Sequence, residues 1–176
     1  RVLIAVILLK QQRTDDAIAE IKKVLEIDRE NALAHNILGS AYMAKGMYPE
    51  GIQEYNKAVA SDPKLSDVHL KKGLFSLRTG KLREAETELI TAVQVAPDVL
   101  NSRAVLASYY LSQKAYGKAI DILRKGLRGE RTDALFYNLI AEALARQNKI
   151  GDAIQQLQNA KKINPDELAT SINLAS

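Results

Sequence analysis

The sequence predicts an all-α protein built from stacked pairs of antiparallel helices, and three observations lead to this fold class. Hydrophobic residues make up 47% of the 176 residues, aromatic residues make up 5% and Trp is absent, a balance that favours helices over strands. Small residues recur at a constant interval of 34 residues. Each interval contains two stretches in which apolar residues follow the spacing of one helix face. A chain of this kind buries its core between neighbouring repeats.

The recurring small residues indicate where the two helices of each repeat approach one another. One ladder comprises Ala17, Gly51, Ala85, Ala119 and Ala153, and the other comprises Ala5, Gly39, Gly73, Ala107, Ala141 and Ala175. Antiparallel helices joined by a short turn come close only where no large side chain intervenes. We therefore expect both ladders to lie at the contact inside each helix pair.

Residues 32–65 illustrate the two helices of a repeat. Leu33, Ile37 and Ala41 share one face of a first helix, and Tyr55 and Val59 share one face of a second. Residues 46–48 break the pattern and a proline follows at the first turn of the next helix. Proline cannot donate a helical hydrogen bond, so we expect second helices to end at Asp62-Pro63, Ala96-Pro97 and Asn164-Pro165.

One run of residues gives these repeats a specific resemblance. The pattern is His35-x-x-Leu38-Gly39-x-x-Tyr42, followed by Gly51, Tyr55, Ala58 and Pro63. It resembles the tetratricopeptide repeat, and the resemblance implies a right-handed solenoid with a 34-residue period. It covers residues 1–176 as a single array: a nearly complete repeat at 1–31, full repeats at 32–65, 66–99, 100–133 and 134–167, and the start of another at 168–176. The sequence is also loosely similar to long bacterial proteins of this family in exopolysaccharide and PEP-CTERM-type export systems.

Two places depart from the family pattern, and we expect irregular geometry at both. Lys72 stands where a core leucine is usual, and Ser76 stands where an aromatic residue is usual. Arg131 replaces the proline at the joint that follows residues 127–130.

The sequence contains no catalytic motif, so we predict that the protein is not an enzyme and uses no cofactor or metal. Cys is absent, and the phosphate-binding and serine-hydrolase motifs GxxxxGK[ST], GxGxxG and GxSxG do not occur. The two histidines, His35 and His69, lie 34 residues apart at equivalent repeat positions, without the HxxxH or HExxH spacing of metal sites. We interpret them as packing residues.

Nucleic-acid and membrane binding are also disfavoured by the sequence. The net charge is +4, and the lysine pairs Lys22-Lys23, Lys71-Lys72 and Lys161-Lys162 fall on different helices of the repeat, so they form no continuous basic stripe. The apolar run from Val2 to Leu9 is too short for a membrane span, which needs about 20 residues. The cellular compartment is left open.

The resemblance implies a non-catalytic scaffold that binds a peptide or partner helix in a concave groove lined by first helices. The alternative is an accessory segment of a larger export or protein-sorting machine. The candidate partner-binding residues occupy the family's groove positions and are Asn36, Ser40, Leu70, Leu74, Leu77, Arg78, Asn101, Ser108, Leu111, Asn138, Glu142 and Arg146. The clamp that chaperone-binding members use for a terminal carboxylate is disfavoured, because its positions hold Asn36, Ser40, Lys71, Asn101 and Val105.

The leucines of residues 66–78 admit two interpretations. Leu70, Leu74 and Leu77 form an apolar stripe that either faces the groove as a partner site or belongs to a helix that has rotated to bury it. In the first case Ala104 and Leu111 extend the stripe, with Arg78 and Asn101 at its edges. In the second, Lys72 extends outward along the surface.

The ends of the sequence predict a fragment of a longer protein. The chain begins without Met inside one apolar helix and ends inside another. Terminal repeats need polar caps, so apolar faces near Val2, Val6, Leu9, Ile172 and Leu174 predict self-association through the ends or fraying.

Overall fold

The computed structural model describes residues 1–166, and all regular secondary structure within that range is helical. The chain divides into two compact units, the first running from Arg1 to Val95 and the second beginning at Ala96. The first unit contains α1 (Val2–Lys10), α2 (Thr14–Ile27), α3 (Ala32–Ala44), α4 (Tyr48–Ser61), α5 (Ser66–Arg78) and α6 (Leu82–Val95). The second contains α7 (Leu100–Ser112), α8 (Tyr116–Arg124), α9 (Asp133–Arg146) and α10 (Ile150–Ile163).

The ends of these helices follow the local sequence. Asn31 caps α3, since its side-chain oxygen accepts a hydrogen bond of 2.9 Å from the backbone N–H of Ala34. Three second helices, α4, α6 and α10, end two residues before a proline, at Ser61, Val95 and Ile163. The predicted ends of the second helices, at the joints between repeats, are therefore confirmed.

Helices pack as consecutive antiparallel pairs, and the small residues lie where they touch. Within the first unit α1 packs on α2, α3 on α4 and α5 on α6, and within the second α7 packs on α8 and α9 on α10. The alanines of both ladders up to residue 153 are at most 5% exposed, and Gly39, Gly51 and Gly73 are buried. A Cβ atom on Gly39 would lie 2.6 Å from Cδ1 of Tyr55 and 3.0 Å from the carbonyl oxygen of Gly51. Ala175 lies outside the described residues, as do Ile172 and Leu174.

Each turn between the helices of a pair contains one residue in the left-handed region. These residues follow the 34-residue period and are Gln12, Gly46, Gly80, Lys114 and Asn148, with φ between 58° and 76°. At the second turn the N–H of Met47 donates to the carbonyl of Tyr42, five residues back, at 2.9 Å. The same bond occurs at the other four turns and closes the helix end in a Schellman motif.

The joint without proline is irregular, as the sequence predicts. Helix α8 ends after 9 residues at Arg124, and a loop with Gly129 at φ 80° leads to α9. The buried carboxylate of Asp133 holds this loop, because Oδ2 accepts hydrogen bonds from the backbone N–H groups of Arg128 (2.8 Å) and Gly129 (2.7 Å). Geometry at Lys72 and Ser76, by contrast, is regular, so that prediction was wrong: α5 is continuous over 13 residues.

Candidate functional site

A pocket of about 310 Å³ opens in the first unit beside α5. It lies among α3, α4 and α5 and is lined by Met43, Tyr55, Lys71, Leu74, Phe75 and Arg78. Four of the predicted partner-binding residues line it or bond to its lining: Leu74 and Arg78 line it, Ser40 bonds to Tyr55, and Asn36 accepts a hydrogen bond from Lys71. Its lining combines apolar side chains with two cations.

Leu74 and Arg78 are the exposed members of this pocket. Leu74 is 44% exposed at the edge of the pocket. Arg78 lies over two aromatic rings, with Cζ at 4.6 Å from the ring centroid of Tyr48 and 5.2 Å from that of Phe75. The two rings themselves are 5.5 Å apart. Within residues 1–166 no carboxylate lies within ion-pair distance of Arg78, so the aromatic rings alone position its charge.

The other end of the pocket is a closed polar network around Lys71. Its ammonium donates to the side-chain oxygens of Asn36 (2.9 Å) and Ser40 (3.0 Å) and pairs with Asp67 at 2.7 Å. Asn36 in turn donates to Asp67 at 3.2 Å. The positive charge of Lys71 is therefore neutralised within the protein.

Tyr55 joins this network to the wall of the pocket. Its hydroxyl lies 3.1 Å from Ser40 Oγ, and its ring lies under the Lys71 ammonium at 5.8 Å. Burial raises the pKa of the Tyr55 phenol; the Ser40 hydrogen bond acts against this, and the charge of Asp67 adds to it. The phenol is therefore protonated at neutral pH and can donate a hydrogen bond.

The structure separates the three leucines of the predicted stripe. Leu70 is 8% exposed, Leu77 is partly buried and Leu74 faces outward. The helix has not rotated away from the family register, since Ser76 is only 1% exposed and Lys72 is largely buried against Glu88. The Lys72 ammonium lies 2.6 Å from the carboxylate of Glu88, with 12% of its side chain exposed.

The remaining predicted residues lie mostly on the second unit. Asn101 and Ser108 are exposed on α7, whereas Leu111 is 5% exposed and Ala104 is also buried. On α9, Asn138 is partly buried, and exposed Glu142 and Arg146 form an ion pair of 2.7 Å. In the first unit Asn36 is 8% exposed, and its amide is used by the Lys71 network.

The histidines have partners that sequence reasoning missed. His35 Nδ1 lies 2.5 Å from Glu54 Oε2, and His69 Nδ1 lies 2.7 Å from Glu88 Oε2. The sequence does contain a signal for these pairs, because each glutamate follows its histidine by 19 residues and both pairs shift together by 34.

The second nitrogen of each imidazole reaches the loop that precedes its helix. His35 Nε2 lies 2.9 Å from the carbonyl oxygen of Arg29, and His69 Nε2 lies 3.2 Å from that of Pro63. Arg103 takes the equivalent position in the next repeat and donates to the carbonyls of Pro97 and Ile122, each at 3.0 Å. Burial lowers the pKa of the Arg103 guanidinium. In each of three repeats, the side chain at this position of the first helix therefore contacts both the second helix and the loop that precedes the first helix.

Apolar side chains of α1 are exposed, although they differ from those named by the sequence. Val2 and Leu9 pack against the core, while Leu3, Ile4 and Ile7 are 71%, 50% and 46% exposed. Self-association through this end stays a prediction.

Two further kinds of site are absent from the described part of the chain. No group of three or more His, Cys, Asp or Glu side chains within residues 1–166 is arranged to hold a metal ion. None of the helices in the same range has the length and apolar character needed to cross a membrane.

Paired antiparallel helices with a fixed period define the class of helical-repeat proteins. The sequence model of the tetratricopeptide repeat family matches residues 2–66 and 70–134, more than half of the chain, and the chain therefore belongs to this family. The resemblance at family level and the predicted fold class, an all-α tetratricopeptide repeat solenoid, are confirmed. Proteins of this family are generally non-catalytic scaffolds for protein interactions. The narrower likeness to export-system proteins stays a prediction.

Known proteins share this repeat architecture at low sequence identity. The chain is 27% identical over 142 residues to the human protein O-mannosyl-transferase TMTC1, covering 78% of this chain and 16% of that protein. It is 21% identical over 173 residues to the peroxisomal targeting signal receptor of Kluyveromyces lactis, covering 94% of this chain and 30% of the receptor. The solved structure of Pseudomonas aeruginosa pilF has a TM-score of 0.77 and 25% identity, with 99% of this chain and 81% of that chain covered. The chain thus spans less than a third of these two curated relatives.

Proposed function

We propose that this chain is a non-catalytic protein-interaction scaffold whose first unit binds a peptide segment or partner helix at the Leu74 pocket. The observation that carries the proposal is the exposure of Leu74 at the mouth of a 310 Å³ pocket walled by Met43, Tyr55 and Phe75. A pocket of this size accommodates one apolar side chain of a partner. The second unit carries candidate partner contacts of its own, which are exposed Asn101 and Ser108 on α7 and the predicted groove positions Asn138, Glu142 and Arg146 on α9.

The energetics favour apolar anchoring at this point. Fully burying a leucine-sized side chain contributes about 1.5 to 3 kcal/mol, and a few well-buried anchors carry most of the affinity of a complex. The pocket lies on ordered helices rather than on a loop, so a partner meets a preformed surface at little conformational cost.

Selection from a random peptide library tests the proposal and does not require the natural partner. A library of random heptapeptides displayed on phage is selected on the immobilised chain, and enriched sequences are synthesised for affinity measurement. We expect enrichment of Leu, Ile, Met or Phe, and we expect Leu74→Ala to weaken binding of the selected peptides by about fivefold or more.

Ile154→Ala is the matched control. Ile154 is 45% exposed on α10, close to the 44% of Leu74, and is not among the residues that line the pocket. Its truncation should leave peptide affinity unchanged, and circular dichroism should show that both variants stay folded. Equal peptide binding by a folded Leu74→Ala, Leu77→Ala double variant would falsify the proposal, as would a selection that enriches no apolar residue.

A further inference from the structure

The charges around the pocket point to the chemistry of its partner. We infer that the Leu74 pocket recognises an internal segment in which an acidic side chain lies two residues from an apolar anchor, the carboxylate being bound by Arg78. This inference rests on the proposed function and specifies the partner class for the same pocket.

The two cations of the pocket are not equivalent. Lys71 is matched by Asp67 and donates to Asn36 and Ser40, so it has little capacity left for an incoming anion. Arg78 is exposed, and in the described part of the chain only the rings of Tyr48 and Phe75 engage it. The pocket therefore presents one uncompensated positive charge.

The stacking of Arg78 also prepares it to bind a carboxylate. A guanidinium that lies over aromatic rings keeps its N–H donors in its own plane, where they remain available to a carboxylate in a bidentate arrangement. The rings also restrict the side chain, which reduces the entropy lost when an anion binds.

The spacing of Leu74 and Arg78 sets the spacing expected in the partner. They are four residues apart on α5, so their side chains are neighbours on one helix face, about 6 Å apart along the axis. An extended peptide advances about 3.3 Å per residue and alternates its faces, so residues two apart are separated by about 6.6 Å on one side. In a partner segment that runs along α5, an apolar anchor at Leu74 therefore places the side chain two positions away beside Arg78.

The same phage-displayed heptapeptide library distinguishes this inference from the proposed function. The peptides are joined to the coat protein at their carboxyl ends, so a terminal carboxylate cannot cause enrichment. Selection on the unmodified chain should enrich Asp or Glu two positions from the apolar anchor. Selection on Arg78→Gln should keep the apolar preference and lose the acidic one, and Arg78→Glu should favour Lys or Arg at that position.

Arg83→Gln controls for the net charge of the protein. Arg83 is exposed on α6 and is not a pocket residue, so this variant carries the same charge change and should retain the acidic preference. With a synthesised selected peptide, replacing Asp by Asn should weaken binding about threefold to fivefold on the unmodified chain and leave binding to Arg78→Gln unchanged.

Each alternative result has a definite meaning. Apolar enrichment without acidic enrichment on the unmodified chain overturns the inference and leaves the proposed function intact. Acidic enrichment that persists in Arg78→Gln also overturns it, because the carboxylate is then bound elsewhere. Absence of apolar enrichment overturns the proposed function and the inference together.

Discussion

The imidazole of His35 in α3 lies 2.5 Å from the carboxylate of Glu54 in α4, and both side chains are at most 10% exposed. The second nitrogen of the ring contacts the carbonyl of Arg29. One side chain thus joins a first helix to its second helix and to the preceding loop. The equivalent pair His69–Glu88 shows that this is a property of the repeat.

A double-mutant cycle measures the coupling between His35 and Glu54. Removing either side chain leaves a buried polar partner, so His35→Ala and Glu54→Ala should each lower the free energy of unfolding by about 1 to 3 kcal/mol. The double variant should lose less than the sum, by about 1 kcal/mol, in urea unfolding. Lys57→Ala is the control, since Lys57 also pairs with Glu54 but its side chain is 47% exposed, and it should cost less than about 0.5 kcal/mol. Strict additivity would contradict the coupling.

Two glycine-to-alanine substitutions should act in opposite directions. Gly39→Ala places a Cβ 2.6 Å from the Tyr55 ring, which is itself buried, and should lower the free energy of unfolding by about 1 to 3 kcal/mol. Gly117 lies in α8, where a Cβ atom would meet nothing within 4 Å. Gly117→Ala should therefore raise the free energy of unfolding by about 0.5 kcal/mol. Equal effects in chemical denaturation would show that the α3–α4 contact is looser than described.

The alanine ladder can be tested by overpacking. Ala119 in α8 is fully buried, so Ala119→Phe should lower the free energy of unfolding by about 1 to 3 kcal/mol. Ala145 is exposed on α9 of the same unit. Ala145→Phe should change the free energy of unfolding by less than about 0.5 kcal/mol. Tolerance of phenylalanine at position 119 would show that the repeat register is wrong.

The turns predict a graded response to glycine. Lys114 adopts φ 58°, and a lysine side chain lacks the short polar group that favours this region, so Lys114→Gly should raise the free energy of unfolding by about 0.5 to 1 kcal/mol. Asn148→Gly should raise the free energy of unfolding by less, because asparagine tolerates the left-handed region better than lysine does. The reverse change, Gly46→Ala, should cost about 1 kcal/mol. Thermal unfolding of the three variants gives the order, and a loss of stability in Lys114→Gly would contradict it.

Sequence reasoning predicted the repeat, the helix pairs and their contacts well because these depend on local or strictly periodic features. The ladder through Ala17 and Ala119 identifies buried helix contacts, and the prolines fix where second helices end. The missing proline at Arg131 correctly predicted an irregular joint, since nothing there stops the chain in the usual way. The regularity of α5 was missed because Glu88, a residue of another helix, compensates the charge of Lys72.

The candidate site was predicted only in part from the sequence. The family positions named Leu74 and Arg78, but the same positions include Leu70 and Leu111, which are buried. A repeat register specifies which face of a helix a residue occupies, and it does not specify how far the neighbouring side chains cover it.

The sequence by itself determined an all-α tetratricopeptide array, because the 34-residue period, the helical spacing of apolar residues and the prolines at the joints are all features of the local sequence. Only the tertiary structure decided that the Lys71 ammonium also donates to Asn36 and Ser40, while Arg78 lies over the Tyr48 ring and is unpaired by any described carboxylate. The charge of Lys71 is balanced locally by Asp67, four residues earlier on α5, but these other partners of Lys71 and Arg78 lie 30 or more positions away in the sequence. These contacts depend on the distances and burial created when helix packs on helix, and no local pattern encodes those quantities.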